Sequence, residues 1–171
     1  MSKKLLLLLT FFLILFSGCS SIINKKNLKL PTGKQYAISS FWNYTETPMA
    51  GLRASSIVES VLAKEKIILN SLIEGSSEMG EVESRQKFIS SKKVEAKALG
   101  AEYLITGDVQ EWRYKTGIDG EPVVSYSIKI IDLKNDTVIY SSVGAKSGWG
   151  HKSIGVVAQE IAEELIPEFI P

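Results

Sequence analysis

Cysteine and histidine are almost absent from this 171-residue sequence, which contains one of each, Cys19 and His151. A single cysteine excludes an intrachain disulfide, and one histidine excludes the His-pair and CxxC patterns of common metal sites. A serine nucleophile would have only His151 as its base, and no G-x-S-x-G turn presents such a serine. A phosphate-binding glycine loop is also missing. These absences argue against an enzyme and against a bound metal or cofactor.

An excess of charge of either sign is lacking too. The chain has 20 Lys and Arg against 19 Asp and Glu, and loss of Lys3 and Lys4 with an N-terminal signal would leave 18 against 19. A nucleic-acid-binding domain needs a clear basic excess. Nucleic acid is therefore excluded as the main partner.

The N-terminus carries the most informative pattern. Lys3 and Lys4 precede an apolar run over residues 5–16, which is long enough for an export signal and short for a spanning helix. Two small residues, Ser17 and Gly18, then stand before Cys19. This layout resembles a bacterial lipoprotein signal, although Phe16 replaces the usual Leu. It implies that Cys19 carries acyl chains such as palmitate and begins the mature protein; the alternative is an ordinary secretory signal with an incidental cysteine.

The domain organisation follows from this reading. We predict a signal peptide at residues 1–18, a lipidated N-terminus and tether at residues 19–34, and a single periplasmic domain at residues 35–171. Ser20 follows the cysteine where an inner-membrane lipoprotein commonly has Asp, which favours the periplasmic face of the outer membrane. The tether of about 15 residues spans roughly 50 Å when fully extended.

Hydrophobic periodicity predicts an α/β fold. Apolar residues at helical spacing predict three helices, and alternating or continuous apolar runs predict strands. The predicted order is β-α-β-α-β-β-β-α, a mixed β-sheet of about five strands flanked by three helices. The helices are predicted at residues 49–64, 81–99 and 153–166, and the strands at 35–42, 67–73, 102–107, 123–132 and 137–143.

Several segments of the C-terminal half resemble one known family. They are the run at residues 99–109, Glu-Trp-Arg-Tyr at 111–114, Gly-Ile-Asp-Gly-Glu-Pro at 117–122, Ile-Asp-Leu at 131–133 and Gly-Ala-Lys-Ser-Gly-Trp-Gly at 144–150. They resemble PelC proteins, the outer-membrane lipoproteins of Pel exopolysaccharide export. More distantly, the strand entry resembles lipoproteins of the curli-secretion and penicillin-binding-protein-activator type.

The resemblance implies a protein without catalysis of its own. Subunits would form a homo-oligomeric, dodecamer-like ring on the periplasmic face of the outer membrane, beneath a β-barrel exporter. Besides the membrane, bound through the lipid on Cys19, the partners would be other copies of the chain, the exporter and a cationic polysaccharide. The ring would present acidic surface to this polymer as it passes.

Three residues are candidates for these contacts. Trp149 stands between two glycines and would contact the membrane, because an indole suits the headgroup region; the alternative is that it closes the core. Asp119 and Glu121 flank Gly120 in a turn and, repeated around a ring, would form an acidic collar that guides the polymer. In a monomer they would be a solvated loop.

One other class of function remains open. A monomeric lipoprotein of the same fold could bind and activate a cell-wall synthase or another envelope partner. A long tether able to cross the periplasm would favour that function, whereas the short predicted tether favours the ring. A curli-type pore would need long membrane-crossing strands, for which the chain has too few residues.

Overall fold

The computed structural model describes residues 20–24, 28–65, 67–74, 82–117, 120–149, 151–167 and 169–170. Within these ranges, the strands are β1 (Ser20–Asn24), β2 (Leu30–Pro31), β3 (Gln35–Ser39), β4 (Trp42–Asn43), β5 (Ile68–Leu72), β6 (Tyr103–Tyr114), β7 (Pro122–Asp132), β8 (Thr137–Ser147) and β9 (Phe169–Ile170). The α-helices are α1 (Ala50–Leu62), α2 (Val82–Ala98) and α3 (Ile154–Leu165). A short 3-10 turn, Ala63–Glu65, extends α1.

The predicted α/β fold and its helix order are confirmed, with more strands than expected. The main sheet has seven strands rather than about five, and β2 pairs with β9 in a separate two-stranded sheet. The strands β1 and β2 lie inside the segment predicted as a tether. The wider division into signal, tether and domain stays a prediction, and Cys19 lies outside the described residues.

The sheet combines a parallel half and an antiparallel half. Its order is β1-β8-β7-β6-β3-β5, with β4 added beside β6. Strand β3 runs parallel to β5 and to β6, whereas β6, β7 and β8 form an antiparallel meander that ends on β1. The chain crosses from β3 to β5 through α1, and then returns past β3 to β6 through α2. Because the two crossovers have the same hand and run in opposite directions, α1 and α2 lie on opposite faces of the sheet.

The face under α1 and α3 holds the larger core. Apolar residues of α1, such as Ala54 and Val58, and of α3, such as Ile161 and Leu165, pack on the inward residues of β6 and β7. Gly144 on β8 permits this approach, because a Cβ there would lie 2.6 Å from Ile161 Cγ2. Close packing of this kind supplies most of the burial that stabilises a domain.

Two tyrosines attach α3 to the sheet by hydrogen bonds. Tyr126 Oη donates to the carbonyl oxygen of Ala158 at 2.6 Å, and Tyr140 Oη donates to that of Leu165. Both phenols are buried, so each polar group needs its partner. Burial raises the pKa of Tyr126 far above its usual range.

The face under α2 holds a smaller core. Only seven buried residues belong to this cluster among those the structure describes, and Ala96 is the member that α2 contributes, with Ile89 packed at its side. The remaining surface of α2 is rich in Lys, Ser and Glu. Helix α2 therefore depends less on apolar burial than α1 and α3 do.

Strand β6 is twice as long as predicted. It continues from Gly107 to Tyr114, and the register with β7 shifts between Val109 and Glu111. After this bulge, polar residues occupy positions where regular alternation would require apolar ones. Hydrophobic periodicity therefore does not predict the second half of β6. The extended hairpin carries the predicted acidic turn well away from the sheet centre.

Candidate functional site

Four strand termini meet at one end of the main sheet. In the antiparallel register, Ser20 lies opposite Lys146, Tyr114 opposite Pro122, and Val123 opposite Ser147. The start of β1, the β6–β7 turn and the end of β8 therefore share one end, which we call the Trp149 end. Two of the sequence-predicted features, Trp149 and the turn with Glu121, lie there together.

Trp149 stands on the surface of this end. Its side chain is 43% exposed, and it belongs to neither core cluster. Gly148, just before it, donates its backbone N–H to the Pro122 carbonyl at 2.9 Å. A Cβ on Gly148 would lie 2.7 Å from Val157 Cγ2, so a side chain there would push the loop away from α3. The glycine lets the chain turn tightly and present the indole outward.

The acidic turn is partly neutralised. Glu121 accepts a hydrogen bond from Lys115 Nζ at 2.8 Å, and the backbone N–H of Lys115 donates to the Glu121 carbonyl at 2.7 Å. Gly120, with φ of 49°, supplies the left-handed conformation that the turn requires. Asp119 lies outside the described residues. Lys115 therefore compensates part of the charge that Glu121 contributes to this turn.

Ion pairs flank the Trp149 end on the side of α3. Lys152 pairs with Glu160 at 2.6 Å, and Lys146 pairs with Glu164 and, at 3.7 Å, with Glu160. Each of these carboxylates has a cation beside it, so this surface is charged but balanced. Partly exposed pairs like these contribute little to stability.

Among the described residues, Tyr114 and Val156 are two further exposed apolar side chains at this end, at 50% and 46% exposure. Tyr114 Oη accepts the backbone N–H of Ile154 at 3.3 Å, which joins the end of β6 to the start of α3. Ser153 caps that helix by accepting the N–H of Val156 at 3.3 Å. Tyr114 and Trp149 are therefore two exposed aromatic side chains at the same end of the sheet.

The single histidine lies at the surface of the domain. His151 is exposed on the loop before α3. Within the part of the chain that the structure describes, no group of three His, Cys, Asp or Glu side chains is placed to hold a metal ion. No helix in that same part is long and apolar enough to cross a membrane.

Sequence reasoning missed a buried charge cluster beneath α2. Asp108 on β6 is 4% exposed and accepts two hydrogen bonds from Arg85 of α2, at 2.7 and 2.9 Å. Lys129 of β7 also donates to Asp108, at 2.5 Å, and Ser127 lies 3.4 Å from the same carboxylate. The sequence signal for it is Asp108 itself, which directly follows the predicted strand at residues 102–107. This cluster attaches α2 to the sheet and lies apart from the Trp149 end.

A groove of about 560 Å³ separates α1 from α3. Its lining includes the apolar side chains of Ile57, Trp112 and Ile154 and the basic residues Arg53 and Lys64. The indole nitrogen of Trp112 is buried without a hydrogen-bond partner.

The fold places the chain in the class of α/β domains that includes the lipoprotein GNA1162 from Neisseria meningitidis. That structure aligns with a TM-score of 0.53 over 77% of this chain and 96% of that chain, and at 9% identity the likeness concerns the fold alone. No family model matches the sequence, and no curated protein matches it.

A stronger likeness identifies the family. The PelC dodecamer from Paraburkholderia phytofirmans, solved in two crystal forms, is 31% identical with a TM-score of 0.71. The alignment covers 86% of this chain and 95% or 94% of the PelC chain in the two forms. The chain belongs to the PelC family.

Proposed function

We propose that this protein is a non-enzymatic outer-membrane lipoprotein whose subunits form a periplasmic ring, and that the ring assists export of a cationic exopolysaccharide through a β-barrel exporter. The observation that carries the proposal is the 31% identity, over 86% of the chain, to a protein that forms a dodecamer. The acyl chains on Cys19 hold the ring at the membrane, because several chains anchor a protein stably where one does not.

The shared position of three features supports this function. The start of β1, Trp149 and the turn that contains Asp119 and Glu121 all belong to the Trp149 end of the sheet. A subunit that turns Trp149 to the membrane therefore also brings the acidic turn to the membrane side of the ring. Polymer leaving the ring for the exporter passes at that level, where a focused negative field attracts cations.

The two carboxylates of the turn are proposed to contribute unequally to the collar. Lys115 compensates Glu121, so Asp119 supplies most of the acidic collar. Weak contact repeated in every subunit suits transport, since a conducted ligand must leave as readily as it enters.

The first experiment measures the mass of the mature protein with Cys19→Ser, by light scattering and native mass spectrometry. We expect one discrete large oligomer, of about the twelve subunits seen in the relative. A monomer at high concentration, with and without detergent, would contradict the ring. It would favour the alternative function, a monomeric lipoprotein that binds and activates a cell-wall synthase.

A matched pair of variants then tests the collar. Asp119→Asn should weaken binding of a chitosan oligosaccharide, a cationic probe, several-fold at low salt, with the difference shrinking as salt rises. Glu121→Gln should have a smaller effect, because its carboxylate is already paired. No effect from Asp119→Asn in a protein that still forms the oligomer would remove the collar from the mechanism. Equal losses from the two variants would show that both carboxylates contribute in spite of the ion pair.

A further inference from the structure

The groove between α1 and α3 is long enough to hold a helical segment. Residues of α1 and of its 3-10 extension line it from Leu52 to Lys64, and α3 lines it from Ile154 to Gln159. A helical path from Leu52 to Lys64 covers about 18 Å at a rise of about 1.5 Å per residue. An elongated groove of this length suits the apolar face of an amphipathic helix that lies along it.

The lining of the groove mixes apolar and polar side chains. Ile57 and Ile154 supply apolar contact, and Ser56, Ser60 and Gln159 lie among the same lining residues. A hydrocarbon chain would leave these polar atoms against methylene groups, whereas a peptide carries polar atoms of its own that can pair with them. The lining therefore favours a peptide over an acyl chain.

One end of the groove is electropositive. Helices α1 and α3 run in the same direction, because Lys64 at the end of one lies 3.4 Å from Glu163 near the end of the other, and Arg53 and Ile154 of their first turns both line the groove. Neither first turn contains an acidic residue, so the positive ends of two helix dipoles lie close together. Arg53 is exposed and forms no ion pair with any residue that the structure describes. This end of the groove therefore attracts a negative charge from outside the domain.

The indole of Trp112 adds a donor that lacks an acceptor. Its Nε1 is buried, and none of the described protein atoms accepts a hydrogen bond from it. A buried donor without an acceptor is unfavourable, because it has lost its hydrogen bond to water. Trp112 lines the groove, so an occupant that brings a carboxylate or carbonyl oxygen is placed to supply the missing acceptor.

The described helices of this chain do not provide such an occupant. Helix α2 carries five basic and two acidic residues, which would repel Arg53. Three glutamates of α3 pair with lysines of the same subunit, and α1 and α3 themselves form the groove. The charge pattern therefore points to a segment of a different protein.

We infer that the groove between α1 and α3 is a docking site for an acidic amphipathic helix of a partner protein. The apolar face of that helix packs on Ile57 and Ile154. Its carboxylates meet Arg53 and the first turns of α1 and α3. This surface acts independently of the acidic collar and gives each subunit a protein contact of its own.

The docking is tested with a fluorescein-labelled peptide and the mature protein with Cys19→Ser. The peptide has about 14 residues, with Leu at the positions of one helical face and Glu at most of the others. Fluorescence anisotropy should show saturable binding that weakens as salt rises. A control peptide of the same composition in scrambled order, which lacks the apolar face, should bind about ten-fold more weakly.

A matched pair of charge reversals assigns the binding to the groove. Arg53→Glu should weaken it about ten-fold, and the variant should fold, because the side chain is exposed and an acidic residue suits the first turn of a helix. Arg113→Glu changes the net charge equally, but alternation along β6 turns Arg113 away from the face that carries Trp112. Binding to this control should stay within about two-fold of the parent.

Several results would overturn the docking. One is the absence of saturable binding, and another is an equal loss from Arg53→Glu and Arg113→Glu. Dissociation of the oligomer by Arg53→Glu alone would show that a second copy of the chain occupies the groove. Binding to phosphatidylglycerol vesicles that depends on Arg53, without binding of the peptide, would assign the groove to lipid.

The proposed ring fails by a different measurement. A parent protein that is a monomer would contradict the ring and leave the peptide binding unchanged. Loss of peptide binding in a protein that keeps its oligomer mass would remove the docking site and leave the ring.

Discussion

The two faces of the sheet hold their helices by different chemistry. Beneath α1 and α3 the contact is a large apolar core with two buried tyrosine hydrogen bonds. Beneath α2 a smaller apolar cluster is joined by Asp108, Arg85 and Lys129. Apolar burial scales with area and tolerates small shifts, whereas a bidentate ion pair requires one geometry. The first face therefore provides most of the stability, and the second fixes the position of a polar helix.

Removing a large side chain from each face is the strongest test of this comparison. Phe41 is fully buried in the larger core beside Tyr126, and Phe88 of α2 is half-buried against Trp42. We expect Phe41→Ala to cost about 3–5 kcal/mol through lost burial and a cavity. Phe88→Ala should cost less than half as much. Urea denaturation of both variants measures the difference, and equal costs would show that the two faces contribute alike.

Breaking the buried ion pair is the next largest perturbation. The coupling between Arg85→Met and Asp108→Asn should be about 1–3 kcal/mol in a double-mutant cycle, since the carboxylate is almost fully buried and its hydrogen bonds to Arg85 are bidentate. Hydrogen exchange of α2 amides should rise in either single variant, while the amides of α3 should keep their protection.

The matched control for that cycle is Arg113→Met with Glu111→Gln. This pair is also short, at 2.6 Å, but both side chains are more than a third exposed. Its coupling should fall in the range of about 0–1 kcal/mol for surface pairs. A coupling free energy as large as that of Arg85 with Asp108 would mean that burial does not strengthen the Arg85–Asp108 ion pair.

Alkaline pH should weaken the apolar face through Tyr126. Burial raises the pKa of this phenol above its ordinary value of 10.0, so the unfolded chain releases the proton first. Its contribution to stability is full below about pH 10 and is lost as pH rises from there toward the folded pKa. Tyr126→Phe should lose about 1 kcal/mol near neutrality, with the hydrogen bond to Ala158.

Measurements at two pH values separate the stability that this hydrogen bond contributes from the stability that is lost when Tyr126 ionises. Urea unfolding at about pH 8 and about pH 11 should show a smaller loss of stability for Tyr126→Phe than for the parent. Some alkaline loss remains in the variant, because burial also raises the pKa of Tyr36. An unchanged pH slope would mean that Tyr126 ionises as readily in the folded state as in the unfolded one.

The difference between local apolar patterns and long-range pairing explains which elements could be predicted from the sequence. The helices follow from apolar residues at a period of 3.6, and β7 follows from alternation, because both signals are local and the core enforces them. Strand β1 has neither signal: Ser-Ser-Ile-Ile-Asn becomes a strand only through pairing with residues about 120 positions away. The second half of β6 is hidden by its bulge.

The exposure of Trp149 could be predicted from the sequence, whereas the geometry around it could not. The two glycines beside Trp149 indicated an exposed indole, and the indole is 43% exposed. Its position at the same end as the acidic turn required the strand register. The pairing of Glu121 with Lys115 depends on how the hairpin closes, and that of Asp108 with Arg85 joins two elements across a layer. Contacts between side chains on separate elements leave no periodic pattern in the sequence.

The smallest expected effect concerns the outer surface of α2. Val94 is 68% exposed there, whereas Val157 of α3 is 1% exposed in the larger core. In an isolated subunit, Val94→Ser should change stability by no more than about 0.5 kcal/mol, as surface substitutions do, whereas Val157→Ser should be clearly destabilising. Thermal unfolding and oligomer mass should be measured on the same samples. A Val94→Ser protein that folds normally but loses the oligomer would show that neighbouring subunits pack on α2, and the polar face would then carry assembly while the apolar face carries stability.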